Sequence, residues 1–246
     1  MYSIDVNCDM GEGFADDALL MSYISSANIA CGAHAGNEAF MKQTIELAYT
    51  SGVKIGAHPG FADPDYFGRR EKLLSQTELK DLIQSQVFLL KKFTEQMGVK
   101  LHHVKPHGAL YNMSARESDI AKVIANAVKE IDPDLILFGL SNSCSIDAAI
   151  EIQLPYCNEV FADRRYQSNG ELLPRSNPNA LITDTMECCL QAEQMIMYHE
   201  VTCYDGLVIP IIPETICLHG DGPTAVSLAT HLFNHFQEKH IELRKN

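Results

Sequence analysis

Seven short apolar runs mark the chain, near residues 2–8, 27–32, 53–57, 101–105, 135–140, 157–162 and 215–219. Runs of this length bounded by turn residues predict strands, and apolar residues returning every three or four positions predict helices. The clearest helical face carries Leu79, Leu82, Ile83, Val87, Leu90, Phe93 and Met97. Ser75 and Glu78 form a capping box at its start, and Gly98 ends it. A second box, Ser114 with Glu117, predicts a helix presenting Ile120, Ile124, Ala127 and Ile131. Residues 38–50 and 184–199 are also helical in pattern, and Pro223 fits the first turn of a last helix reaching about residue 238. Asn169-Gly170 and Asp205-Gly206, each between β-prone residues, predict small hairpins.

Strands alternating with helices imply parallel pairing, because parallel strands need long crossovers. The sheet either stays open or closes. An open doubly wound sheet draws its site from two or three strand ends at a switch point. Here acids, histidines or lysine beside glycine follow strands one, two, three, four, six and seven, which favours closure. The expected architecture is α/β, a seven-stranded (β/α) barrel occupying residues 1–246 as a single domain. Side chains two apart on a strand share a face. Asp5, Asn7 and Asp9 therefore point one way, as do His103, Lys105 and His107, Glu159 and Asp163, and His219 and Asp221.

Charge narrows the partners. Nineteen Lys and Arg against thirty-two Asp and Glu give a net charge of −13, with no basic run. Such a field repels nucleic acid and acidic membrane surfaces. The first residues lack the basic and apolar regions of a signal peptide, and no apolar run approaches the roughly 18 residues of a membrane span, so a cytoplasmic location is expected. Eight scattered cysteines form no C-x-x-C pair and read as reduced, mostly buried thiols.

Candidate chemistry gathers at the strand ends. Asp9, His34 and His58 offer a divalent metal its usual ligands from three strands; alternatively the histidines are a metal-free acid–base pair. Lys105 suits a substrate carboxylate, a phosphate or an oxyanion, or else a structural ion pair with Asp9, Glu159 or Asp163. The loop from Pro59 to Arg70 is rich in glycine, proline and aromatics, and reads as a lid bringing Arg69 and Arg70 to an anion. Asn7, Glu12, Glu159, Asp163 and His219 complete the candidate substrate- and anion-binding set. The strand-to-helix turn at Asp221-Gly222-Pro223-Thr224 also favours negative charge, but lacks the lysine and spacing of a P-loop. Ser141-Asn142-Ser143-Cys144 reads as a capped turn rather than a nucleophile elbow.

Taken in order, the segments Asp5–Glu12, Asn28–Gly32, Gly56–Gly60, Gly68–Arg70, His103–Asn112, Phe161–Arg164 and Ile216–Asp221 resemble the LamB/YcsF lactam-utilisation family, the A subunits of 5-oxoprolinases. The resemblance spans nearly the whole chain. It implies a seven-stranded barrel related to glycoside hydrolases and polysaccharide deacetylases. It also implies opening of 5-oxoproline to L-glutamate, driven by ATP with Mg2+, together with partner subunits B and C. Three positions depart from the family pattern: Ala33 replaces a phenylalanine, Asn37 an aspartate and Asn179 a glycine. The first is expected to enlarge the pocket, and the second to remove an acid. On this reading Lys105 and Arg69 or Arg70 bind anions, while His34, His58 or His107 transfers protons. Asp9 and Asp221 orient histidines or a metal. A stand-alone metal-dependent amidohydrolase or deacetylase, and a binding subunit whose catalysis lies in a partner, remain the alternatives.

Overall fold

A computed structural model describes residues 2–220 and 225–244. In chain order its elements are β1 (Tyr2–Met10), α1 (Asp17–Leu20), β2 (Ser26–Ala30), α2 (Glu38–Thr50), β3 (Lys54–His58), α3 (Gln76–Gln96), β4 (His103–Val104), α4 (Gly108–Arg116), α5 (Ser118–Ile131), β5 (Ile136–Leu140), α6 (Cys144–Glu151), β6 (Tyr156–Phe161), α7 (Thr185–Tyr198), β7 (Glu200–Thr202), β8 (Val208–Pro210), β9 (Thr215–Leu218), α8 (Ala225–Glu238) and β10 (Ile241–Leu243).

Strands β1 to β6 pair in sequence, β6 pairs β9, and β9 returns to β1, all in parallel. The sheet therefore closes into the seven-stranded barrel that the spread of polar strand ends favoured. On its edge away from β2, β1 serves two neighbours in turn: Tyr2–Ile4 pair with Ile241–Leu243 of β10, and Asp5–Cys8 pair with Thr215–Leu218 of β9. The short run forming β10 was not anticipated. The hairpin signals held: β7 and β8 pair antiparallel around Asp205-Gly206, and Tyr166 bridges Leu172 around Asn169-Gly170.

Helix α3 starts with the expected capping box and buries Leu79, Ile83, Val87, Leu90 and Phe93 against the barrel. Ser114 needs a correction. It lies inside α4, buried, with its hydroxyl donating to the Tyr111 carbonyl and accepting from Ser145. The residue at the head of α5 is Glu117, which makes no side-chain capping bond. A serine followed three residues later by glutamate cannot by itself distinguish a helix start from the end of the preceding helix.

Strand parity sorts the two sides of the barrel wall. Ile4, Val6, Cys8 and Met10 are buried in the apolar layer beneath the helices. Asp5, Asn7 and Asp9 instead bond across the interior. Asp5 accepts from Ser26 (2.8 Å) and Thr215 (2.6 Å), and Asn7 donates to Glu159 (2.9 Å) and Thr215 (2.8 Å). Asn28 donates to Asn7 and Asp9, and accepts from His103 Nε2 at 2.7 Å. The barrel centre is thus a hydrogen-bonded polar core, where buried groups are tolerated because each finds partners.

Gly56 makes room for this core. A Cβ there would overlap the imidazole of His103, a ring that is also stacked on Phe138 at 4.1 Å. Gly56→Ala is expected to cost about 2 kcal/mol by overpacking, lowering Tm by roughly 4–8 °C. A thermal melt showing no change would mean the His103 ring has another place to go.

Candidate active site

Above the polar core, at the C-terminal ends of the strands, opens a cavity of about 370 Å³. Its wall includes Asp9 and Glu12 from the end of β1, His58 from β3, Lys105 and His107 beyond β4, Arg164 beyond β6, and His219 beyond β9. Phe67 and Arg69 from the Pro59–Arg70 loop complete one side, and Arg116, Leu172 and Arg175 another. In a chain of net charge −13 this cavity collects four arginines and a lysine.

Lys105 is the centre of the floor. Its Nζ lies 2.9 Å from Asp9 Oδ1, 2.8 Å from Glu159 Oε1, 3.1 Å from Asn7 Oδ1 and 3.1 Å from Cys217 Sγ. Burial alone would lower the lysine pKa, yet the charges of Asp9 and Glu159 hold it well above its usual value. Burial likewise opposes the Asp9 carboxylate, but His58 and Lys105 keep it well below the normal range. Lys105 is therefore charged, and its ion pairs run to Asp9 and Glu159 rather than Asp163. Asn7 and Glu159 need correction as substrate-binding candidates: both are fully buried one layer beneath the wall, where they hold Lys105.

Three histidines and Glu12 form the second cluster. His58 Nδ1–H donates to the Lys105 carbonyl at 2.7 Å, and His107 Nε2–H donates to the Phe67 carbonyl at 2.8 Å. Each ring donates one proton to a carbonyl, which leaves His58 Nε2 and His107 Nδ1 facing each other at 2.9 Å. Two lone pairs at that distance repel unless a proton or a metal cation sits with them. His58 Nε2 is also 3.2 Å from Asp9 Oδ2. His34 stacks on His107 at 3.8 Å, behind the wall, with its Nε2 3.3 Å from Glu12. Burial and the nearby His58 push the His34 pKa down to about 3, and burial with His34 pushes His107 well below its usual value.

Across the cavity, His219 Nδ1–H donates to Asp163 Oδ2 at 2.7 Å, while its ring stacks on Phe161. Desolvation opposes the buried Asp163 carboxylate, but His219, Arg164 and Arg175 hold it below its usual range. A histidine whose Nδ1–H is taken by a carboxylate presents a basic Nε2. Asp163 does not line the cavity; it orients His219.

Arg70 departs from expectation. Asp63 grips its guanidinium, with Nε 2.8 Å from Oδ2, and Tyr66 stacks on it, so Arg70 anchors the lid loop outside the cavity. Arg69 does reach the wall. The loop is locked rather than loose, since the Gly68 carbonyl accepts from Ala109 N, and its φ of +62° turns the chain where a Cβ would strike His34. Asp221 lies outside the described residues, as do Gly222, Pro223 and Thr224. Ala33 does not line the cavity. Asn37 keeps the helix-capping task of an acid, accepting from Ala39 N and Phe40 N at the start of α2. All eight cysteines are free thiols. Among the described residues no helix is long and apolar enough to cross a membrane.

The profile of the LamB/YcsF family matches residues 4–246. The chain belongs to the LamB/YcsF family. It is 44% identical over 249 residues to a protein from Oceanobacillus iheyensis that is named as the A subunit of 5-oxoprolinase, covering 99% of this chain and 97% of that one. Among solved structures, a lactam utilization protein from Thermus thermophilus superposes with a TM-score of 0.92 at 36% identity, over 99% of this chain and 100% of the other. A family 4 carbohydrate esterase from Streptomyces lividans shares the fold alone, at a TM-score of 0.51 and 9% identity over 98% of this chain and 91% of that one. The sequence resemblance and the barrel expectation both hold.

Two groups of side chains bring metal-ligating atoms within 4.8 Å of one another: Glu12, His34, His58 and His107, and separately Asp9, Cys217 and His219. The first fits a divalent ion, because the facing nitrogens of His58 and His107, beside the Glu12 carboxylate, need a proton or a cation between them. In the second, the Lys105 ammonium already sits against Asp9 and Cys217. Of the expected metal set Asp9, His34 and His58, the structure groups the two histidines with Glu12 and His107, and Asp9 with Cys217 and His219.

Proposed function

We propose that this chain is the lactam-opening subunit of an ATP-dependent 5-oxoprolinase, converting 5-oxoproline to L-glutamate together with partner subunits B and C. The observation carrying this reading is the cavity itself. It is small, cationic in an acidic chain, floored by a charged lysine, and faced by an oriented Asp163–His219 pair. The names of the relatives at 44% identity support the choice of lactam.

A five-membered lactam is a stable amide, and ATP supplies the activation. The γ-phosphoryl group passes to the lactam oxygen, releasing ADP. Water then adds to the ring carbon while His219 Nε2 takes its proton. The C–N bond breaks as the nitrogen is protonated, leaving γ-glutamyl phosphate, and a second water releases phosphate and glutamate. Lys105 stabilises negative charge gathering on the oxygen, while Asp9 keeps His58 in place. A divalent ion held by Glu12, His34, His58 and His107 would supply Lewis-acid polarisation of a carbonyl or phosphoryl oxygen. The facing nitrogens of His58 and His107 favour a second reading, a metal-dependent amidohydrolase acting alone.

The deciding experiment measures glutamate release from 5-oxoproline by this chain, alone and with subunits B and C, with and without ATP and Mg2+, beside metal analysis of the purified protein. The expected result is glutamate formation only with partners and ATP. Turnover by the isolated chain that needs bound metal and ignores ATP establishes the second reading. Binding without any contribution to turnover assigns catalysis to a partner.

A further inference from the structure

Arg164 is an unusual arginine. It is only 4% exposed, yet among the described residues no carboxylate lies within ion-pairing distance of it. One terminal nitrogen donates to the Leu173 carbonyl at 2.7 Å, while the buried Nε finds no acceptor at all. Its neighbour Arg165 behaves normally, pairing with Glu187 at 2.7 Å. Asp163 acts on it electrostatically but is itself bonded to His219, and a buried guanidinium with no carboxylate in ion-pair contact is costly.

The backbone holds Arg164 in place. The residue bridges Leu181, and its carbonyl accepts from Gln191 at 2.9 Å. The following segment turns back so that Arg175 lines the same cavity as Arg164. Burial and then the positive charge of Arg175 push the Arg164 pKa down to about 10. Two like charges facing one cavity, one with an unused donor, are complementary to an anion.

The rest of the cavity says which anion fits. Phe161 and Tyr111 meet edge to face at 5.7 Å, and the Phe161 ring carries Lys105 Nζ 5.6 Å from its centroid and stacks with His219. The cavity wall thus carries apolar rings as well as the arginines, the lysine and the histidines, as a ligand with both an anion and a methylene ring requires. Guanidinium forks match a carboxylate in plane and spacing. We propose that Arg164 and Arg175 clamp the substrate's α-carboxylate, so that the site selects carboxylate-bearing lactams and delivers the ring carbonyl to Lys105. This rests on the lactam-opening reading above.

The test uses the complex reconstituted with its partner subunits and two substrates, 5-oxoproline and its neutral analogue 5-oxoprolinamide. Loss of a charge-assisted contact of this type is worth about 100-fold. Arg175→Gln, on an exposed residue that does not threaten folding, is expected to raise KM for 5-oxoproline by about that factor, with the loss falling on KM rather than kcat. Arg164→Lys, which keeps the charge but not the fork, should raise KM about tenfold. In both variants the preference for acid over amide should collapse. Unchanged KM in both, or a wild-type complex that treats acid and amide alike, overturns the clamp. Should the wild-type complex make no glutamate, the lactam-opening reading fails while the clamp is still decided by calorimetry on the isolated chain. Binding of 5-oxoproline but not the amide, lost in Arg175→Gln, upholds it, and equal or absent binding of the two overturns it.

Discussion

Lys105→Met is expected to lower turnover by about three orders of magnitude and to unfold the protein roughly 10 °C earlier. Both effects come from one ammonium group. Its charge separates Asp9 from Glu159, which otherwise share the barrel centre as two buried carboxylates. Removing one partner of a buried ion pair typically costs about 3–5 kcal/mol, because the charge left behind has neither water nor counter-ion. At roughly 2–4 °C per kcal/mol for a chain of this size, the Tm shift follows. The catalytic loss comes from the developing oxygen charge, where a single preorganised donor is worth about 10²–10³ in kcat, and from the freed Asp9, which no longer fixes His58. The double variant Lys105→Met with Glu159→Gln separates the two effects. It removes one of the two stranded carboxylates, so part of the lost Tm should return while activity stays absent. A single variant retaining activity within tenfold of wild type would show that the lysine is only structural.

The dependence of so much on strand direction explains why the barrel was so legible in the sequence. Alternation along β1 placed Asp5, Asn7 and Asp9 on one face, and the structure bonds all three across the interior. The same rule linked Lys105 to His103 and His107. Parity fails where regular structure ends. Arg175 stands in Pro174-Arg175-Ser176-Asn177-Pro178, a stretch with no period to aim it, so nothing in the local pattern separates it from a surface arginine. Arg70 fails in the opposite sense: its neighbour Arg69 reaches the cavity, and only the loop's turn through Asp63 sends the second guanidinium away. Glu12 was a candidate, but its pairing with His34 depends on a three-dimensional approach between the ends of β1 and β2. The unpaired donor on Arg164 is visible only once burial is known.

Acidification of the metal-free protein below pH 6.5 is expected to destabilise it steeply, with unfolding near pH 5. Four histidines drive this. Burial, first among the causes in each case, lowers His34 to about 3 and His102 to about 4, and takes His103 and His107 well below their usual values. Above about pH 6.5 neither the folded nor the unfolded chain protonates these rings, so the stability is fully present. As pH falls through about 6.5, the unfolded chain binds protons that the fold refuses, and stability drops by up to about 1.4 kcal/mol per pH unit for each ring. Over two units this is on the order of 10 kcal/mol, comparable with the whole stability of a typical domain. The depressed carboxylates of Asp9 and Asp163 lose their contribution only at lower pH, below about 4, since their unfolded values lie there. Asp5 and Asp17 act against the trend, because burial raises both pKa values and the fold holds their protons more tightly. Two carboxyls do not offset four imidazoles. Thermal melts of chelator-treated protein between about pH 4.5 and 7.5 should show Tm falling continuously below 6.5. A flat profile from pH 7 to 5 would mean that the buried rings take up protons inside the fold.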